Sequence, residues 1–274
     1  MKILTNVNEL DPARTFLCGQ CFRWREDESG SFSGIARGRR IFVSQNGDKV
    51  EIDGIPDADE KLWRSYFDLD ADYGKYIARL SEDKTLKKAC EASAGIRILR
   101  QEPFETLLSF IISQNNNIPR ISGIIARFSE QFGGKIGDND YAFPTAEKLR
   151  GIEAGDLASL RAGFRARYIA DAVDKINRGE INFEEIDALP LEPARERLKT
   201  IVGVGDKVAD CVLLFAFHKT DAFPKDVWIK RIMSECFPDG LPECTKGIEG
   251  IAQQFLFDYF RNVRSEKEIS ALKS

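Results

Sequence analysis

Hydrophobic and polar positions alternate in two different rhythms along this chain. Over the first fifty residues the β-prone pieces are short: Thr15–Phe16–Leu17, Cys21–Phe22–Arg23–Trp24, Ile35–Ala36, Ile41–Phe42–Val43 and Val50–Glu51–Ile52. Gly30, Gly34, Gly38 and the Asn46–Gly47 pair separate them. Branched and aromatic residues broken by turn formers predict a small antiparallel sheet. After Pro56 the period lengthens. Leu62, Trp63, Tyr66 and Phe67, then Tyr73, Tyr76, Ile77 and Leu80, recur as one face of a helix does. From Pro103 onward the helical period is sustained. Phe104, Leu107, Leu108, Ile111 and Ile112 follow a proline suited to a first helical position. Ile121, Ile124, Ile125 and Phe128 form a second stripe, ended by Gly133–Gly134, and Ile169, Ala172, Val173 and Ile176 a third. The pattern predicts an α+β protein: residues 1–98 as a mixed domain with an antiparallel sheet and helices, and residues 99–274 as an all-α body.

Composition narrows the class. Of 274 residues, 43% are hydrophobic and 31% charged, which supports a packed core and argues against disorder. No apolar run approaches the roughly 18 residues of a membrane span. The N-terminal stretch carries Asn8, Glu9 and Asp11 where a signal peptide needs apolar residues. A soluble, cytoplasmic protein is expected, without a membrane. The net charge is −4, with 17 basic and 17 acidic groups in residues 1–100 and 23 and 27 in residues 101–274. Bulk attraction to nucleic acid is thereby excluded, so any grip on DNA must come from local geometry. Cys18 and Cys21 form a lone C-x-x-C without a second pair at zinc spacing, and the chain has one histidine, His218. Free thiols are expected, and no catalytic metal.

The most informative stretch runs from Pro190 to Cys211. A short helix after Pro193 ends near Thr200, the turn Val202–Gly203–Val204–Gly205 follows, and a second helix starts near Lys207. Gly203 and Gly205 allow positive φ and leave no side chains to block a ligand. The first N–H groups of the second helix, Val208 among them, lack internal partners and carry the positive end of the helix dipole. Such a hairpin binds a phosphate without needing a basic residue. An αα-corner with a glycine turn reads the same way in the absence of a ligand. Lys207 stands where the helix dipole disfavours a cation, so its pKa is expected to fall. A neutral lysine can attack an electrophilic carbon and form a Schiff base. Nineteen residues on comes Asp226, which the preceding Pro224 places in the first turn of a helix, as a cap or as an anion able to stabilise positive charge on a sugar.

Gly203-Val-Gly-Asp-Lys207-Val-Ala-Asp-Cys211 followed by Asp226 resembles the helix–hairpin–helix superfamily of DNA glycosylases, and within it the 8-oxoguanine DNA glycosylase family of the eukaryotic type. Gly19-Gln-Cys-Phe-Arg-Trp-Arg25, the run from Ser109 through Asn115 to Arg120, Gly163-Phe-Arg-Ala-Arg-Tyr168 and Ala252-Gln-Gln-Phe-Leu-Phe257 match in family order, so the resemblance spans about residues 15–260. It implies an enzyme that flips the oxidised nucleotide out of duplex DNA. Lys207 attacks C1′ and displaces the base, the Schiff base permits β-elimination, and Asp226 stabilises the charged intermediates. The Gly19 carbonyl accepts a hydrogen bond from N7–H, which 8-oxoguanine has and guanine lacks. Gln253 reads the Watson–Crick edge, while Phe257 and Cys211 flank the base. Taken singly, Phe257 and Cys211 read as core residues and Gly19 as a turn.

By the same resemblance, Asn115, Arg120 and Arg165 contact the cytosine opposite the lesion and Phe164 is the wedge in the base stack. Phe164 stands where the family often has tyrosine, and Trp228 where vertebrate members have a histidine; Lys225 and Lys230 are candidates to compensate. Gln114 and Pro119 suggest a bacterial branch with relaxed demand for cytosine. A monomer without organic cofactor is implied, and the hairpin carbonyls suit a monovalent cation. The hairpin alone also fits a glycosylase for another purine lesion, or a non-catalytic DNA-holding module.

Overall fold

In the computed structural model, which describes residues 2–263, a five-stranded sheet precedes and docks onto a helical body. Strands β1 (Ile3–Asn6), β2 (Trp24–Glu26), β3 (Phe32–Ala36), β4 (Arg39–Asn46) and β5 (Lys49–Asp53) are all antiparallel, in the order β1-β5-β4-β3-β2. Val43 lies opposite Phe32 on one side and Ile52 on the other, and Ile52 lies opposite Ile3, so one buried apolar row crosses four strands. Period-two alternation puts that row on a single face, as the sequence pattern requires.

Two sequence expectations are corrected here. Thr15–Phe16–Leu17 is helical, within α1 (Pro12–Leu17). Asp11 accepts a hydrogen bond from the Arg14 amide at 2.9 Å and Pro12 occupies the first turn, so cap and proline outweigh the β-prone triplet. Of Cys21–Trp24, only Trp24 enters a strand. Phe16, held by that helix, stacks on Trp24 with ring centroids 3.9 Å apart. Trp63 and Phe67, in and after α2 (Glu60–Tyr66), complete this smaller core.

The larger core is helical. It takes in α3 (Tyr73–Leu80), α4 (Lys84–Ala92), α5 (Pro103–Ser113), α6 (Ile118–Phe132), α7 (Arg165–Asn177), α8 (Phe183–Ala188), α9 (Leu191–Lys199), α10 (Asp206–Phe215), α11 (Val227–Cys236) and α12 (Glu249–Asp258). Residues 1–98, read from sequence as one domain, therefore contribute to both cores: Tyr73, Leu80, Leu86 and Cys90 pack with the helices, and α4 lies against α12. α12 is buried from Gly250 to Asp258 and α10 from Val208 to Phe215. A helix apolar on nearly all sides belongs inside. Pro103 does begin α5.

The two cores are fastened by polar groups. Buried Gln20 donates to Arg97 O at 2.7 Å and accepts from the Leu99 amide at 2.9 Å, and the Gln101 amide donates to Phe215 O at the end of α10. Arg23 pairs with Glu105 at 3.2 Å, and Arg40 pairs with Asp140. Among the described residues no helix is long and apolar enough to cross a membrane.

Candidate active site

The hairpin is α9, a turn and α10. Gly203 has φ +81°, and a Cβ there would lie 2.3 Å from the Tyr168 ring, so both backbone and space exclude a side chain. Gly205 differs from expectation: its φ is −107°, which any residue adopts. Nothing in the protein lies within 4 Å of where its Cβ would be. Neither packing nor backbone requires glycine at 205, which leaves the approach to the helix N-terminus open. No side chain caps α10, so the first-turn amides of Asp206, Lys207 and Val208 remain available to an anion. Asp206 itself is held by Lys199 at 2.8 Å, and that ammonium keeps its carboxyl below the usual range.

α7 holds the hairpin from behind. Tyr168, Asp171 and Lys175 share one face at spacings of three and four residues. Tyr168 packs on Gly203, Asp171 Oδ2 accepts from the Val202 amide at 2.7 Å, and Lys175 Nζ donates to Thr200 O while pairing with Asp171 at 3.2 Å. At the N-terminus of α7, Phe164 meets Tyr168 edge-on at 5.7 Å.

Lys207 and Asp226 line one cleft of about 710 Å³. Lys207 is half-buried, with Nζ 5.0 Å from the centroid of the Phe110 ring, which stacks on Phe215. Asp226 is the N-cap of α11: Oδ1 accepts from the Ile229 amide at 2.8 Å. Of the two sequence readings of Asp226, this hydrogen bond is the cap.

Beside this pair is a smaller chamber of about 50 Å³ lined by Cys18, Gly19, Lys207, Cys211, Asp226, Gln253 and Phe257, among others. Gly19 has φ +84° and sits against Phe257, about 4.0 Å from its projected Cβ. Gln253 is 4% exposed and accepts from the Gln254 amide group at 2.7 Å. Burial pushes the Cys211 thiol up to about 11 against the pull of Lys207, and burial pushes Cys18 up to about 12, so both are neutral thiols. All six cysteines are free.

Asn115, Gln114 and Phe164 line the cleft on the far side. Asn115 has φ +47°, a left-handed conformation that asparagine tolerates, and is exposed, as is Arg120. Arg165 is arranged differently. It is 3% exposed, and its guanidinium donates to the carbonyls of Gln114 (2.8 Å), Asn115 (2.8 Å) and Ala162 (3.1 Å) while lying 4.5 Å from the Phe164 ring. Burial, and then the charge of Arg120, lowers its pKa from the usual arginine value. Arg165 therefore fixes the shape of the Asn115 loop. Sequence reading missed Cys18 and Arg261. Arg261 lines the cleft with its guanidinium 5.3 Å from the Phe257 ring, and follows that phenylalanine by four residues, a helical spacing that could have revealed it.

A sheet-plus-helices scaffold that presents a lysine at a glycine hairpin, a capping aspartate and a narrow chamber defines a helix–hairpin–helix base-excision architecture. The family described as "8-oxoguanine DNA glycosylase, N-terminal domain" matches residues 2–107, and "HhH-GPD superfamily base excision DNA repair protein" matches residues 108–243. An N-glycosylase/DNA lyase of Saccharomyces cerevisiae is 34% identical over 264 residues, covering 84% of this chain and 69% of that protein. An N-glycosylase/DNA lyase of Arabidopsis thaliana is 28% identical, covering 82% and 65%. Alignments to these and to an archaeal relative span 62% to 69% of those proteins' lengths. Among solved structures, the Clostridium acetobutylicum 8-oxoguanine glycosylase/lyase in complex with double-stranded DNA containing cytosine opposite 8-oxoguanine superposes with a TM-score of 0.87 at 41% identity, covering 94% of this chain and 97% of that one. This chain belongs to the 8-oxoguanine DNA glycosylase family.

Proposed function

We propose that this protein excises 8-oxoguanine from double-stranded DNA and then nicks the strand. The observation that carries the reading is the convergence of Lys207, Asp226 and the Gly19–Phe257 chamber on one cleft beside an uncapped helix N-terminus. The hairpin amides of Gly203, Gly205 and Val208 hold a backbone phosphate, and Phe164 fills the gap left as the nucleotide flips. Lys207 Nζ attacks C1′. The C1′–N9 bond breaks with its electron pair on the base, which takes up a proton released by the amine; the C1′–O4′ bond then opens, O4′ takes up a proton, and the nitrogen lone pair forms the C1′=N bond of the protonated imine. Asp226 stabilises the positive charge that develops on the sugar. The imine acidifies C2′–H, and loss of that proton expels the 3′ phosphate by β-elimination. The Gly19 carbonyl accepts from N7–H of the lesion and faces a second acceptor in guanine.

The chemistry draws on the chain's own groups, without organic cofactor or catalytic metal. A monovalent cation on the hairpin carbonyls serves phosphate binding only. The protein acts as a monomer in the cytoplasm of a cell whose DNA is not enclosed elsewhere. Borohydride with a duplex carrying 8-oxoguanine opposite cytosine should trap a covalent complex, and Lys207→Gln should abolish trapping and excision while lesion binding stays within a few-fold. Trapping that survives the substitution, or excision of an alkylated base in preference to 8-oxoguanine, overturns the assignment.

A further inference from the structure

Gln254 follows Gln253 directly on α12, is 3% exposed and lines the same small chamber. Neighbouring residues on a helix diverge by about 100° and do not face each other. Here their side chains are joined all the same: Gln254 Nε2 donates to Gln253 Oε1 at 2.7 Å. The other end of the Gln254 amide is held too, since Oε1 accepts from Cys18 Sγ at 3.2 Å. Two buried amides, each costly to bury without partners, are thus tied to the residue before Gly19. The direction of this chain is set at its far end. Gln20 Oε1 accepts from the Leu99 amide at 2.9 Å, and Gln20 Nε2 donates to Arg97 O at 2.7 Å and Thr15 O at 2.9 Å. Backbone groups fix those roles, so Gln20 cannot turn over. Gln20 Nε2 also points at Cys18 Sγ at 3.4 Å, so the sulfur receives there. Cys18 is a neutral thiol with one S–H to give. Thr15 O lies within its reach at 3.3 Å but already accepts from Gln20. The S–H therefore goes to Gln254 Oε1, which leaves Gln254 Nε2 to donate to Gln253 Oε1. Among the described residues no acceptor is bonded to Gln253 Nε2. The chain ends on an open donor at the chamber.

Resting on the glycosylase reading, we propose that Gln254, oriented by Cys18, is a positioning residue that locks the Gln253 amide in one of its two orientations, and that this lock makes the chamber select a base with an oxygen at C6 over one with an amine there. Held this way, Gln253 offers Nε2–H to a C6 oxygen and the second lone pair of Oε1 to N1–H. 8-Oxoguanine has both groups. 8-Oxoadenine shares the N7–H of that lesion but carries a 6-amino group and a bare N1. The Gly19 carbonyl cannot tell the two apart, so the choice falls to the amide. Turned over, Gln253 would fit 8-oxoadenine instead.

The test is a ratio of rates. Single-turnover excision is measured on duplexes carrying 8-oxoguanine, 8-oxoadenine or guanine at one position opposite cytosine. Wild-type protein should prefer 8-oxoguanine to 8-oxoadenine. Gln254→Met keeps the length of the side chain and removes both polar ends, so Gln253 can turn over. The preference should fall about two- to tenfold, partly through faster release of 8-oxoadenine. Guanine should still be refused, because the Gly19 carbonyl is unchanged. Cys18→Ala should lower the ratio in the same direction, and Cys18→Ser, which keeps a hydroxyl donor, should restore it. A role in packing alone would slow both lesions alike and leave their ratio where it was. That result overturns the positioning assignment, as do equal ratios in Cys18→Ala and Cys18→Ser, or a wild type that releases both lesions equally fast. If Gln254→Met does not fold, the two Cys18 variants decide. Failure of the wild type to excise 8-oxoguanine at all removes the glycosylase reading and this assignment with it.

Discussion

Asp226 caps α11, and the proposed function gives it a second task in charge stabilisation; the two can be separated. Asparagine caps a helix nearly as well as aspartate, so Asp226→Asn should keep α11 and the melting temperature within about 2 °C. Loss of the charge should cut single-turnover excision by about a hundredfold or more. A fall in stability matching the fall in rate would leave only the cap. Glu105 offers a pH test. Burial raises its pKa to about 7, only partly offset by Arg23. Between about pH 4.5 and pH 7 the folded protein therefore binds a proton that the unfolded chain has released, and stability falls as pH rises through that window. Glu105→Gln should remove up to about 3 kcal/mol of that slope, measurable by urea unfolding at pH 5 and pH 8. The placement of Lys207 and Asp226 at two helix starts was legible in the sequence because helix starts are locally encoded. Arg165 was legible as an arginine but not as a buried one, since its three carbonyl partners come from two separated segments.

At the scale of elements, the hairpin depends on α7 as much as on its own glycines. Gly203→Ala adds a Cβ to a position with φ +81° and 2.3 Å from the Tyr168 ring, so it should cost about 1–3 kcal/mol and weaken duplex binding. Tyr168→Ala in the same protein should relieve the clash but not the backbone strain, and a double-mutant cycle reads the difference. Additivity of the two changes would mean that the ring and the turn are uncoupled. Helix starts were read unevenly: Pro103 opens α5 where the proline placed it, but α9, expected after Pro193, begins at Leu191, with Pro190 as its N-cap. Strands were read worst. Thr15–Leu17 was misassigned because the Asp11–Pro12 helix signal stands just outside the β-prone triplet, and β1 gave no signal beyond four residues at the chain start. Its partner strand, β5, is more than forty residues away, and only that pairing makes it a strand.

For the molecule as a whole, the charge balance sets the mode of DNA binding. With a net charge of −4, the proposed function leaves affinity to the few cations that line the cleft, Lys207, Lys225, Lys230 and Arg261, and to uncharged hairpin amides. Neutralising two to five phosphates predicts a log–log salt slope of about −2 to −4.5. A slope near −10 in a salt titration would reveal a large basic face that the net charge hides. The α+β class was readable from the change of period after Pro56, but the packing of α3 and α4 with the helical core was not. Amphipathic periodicity shows that a helix has a buried face and does not say which core covers it.

α7 has one more consequence. Tyr168, Asp171 and Lys175 bolt it to the turn proposed to take the phosphate, and Phe164 sits at its leading end. At 1.5 Å per residue, Arg165 and Asp171 stand about 9 Å apart on one stiff rod. On the proposed function, pushing a ring into the duplex and clamping the backbone are then strokes of a single lever, locked in phase. One residue inserted between them would turn the tip by about 100°, leaving two sound parts that no longer arrive together.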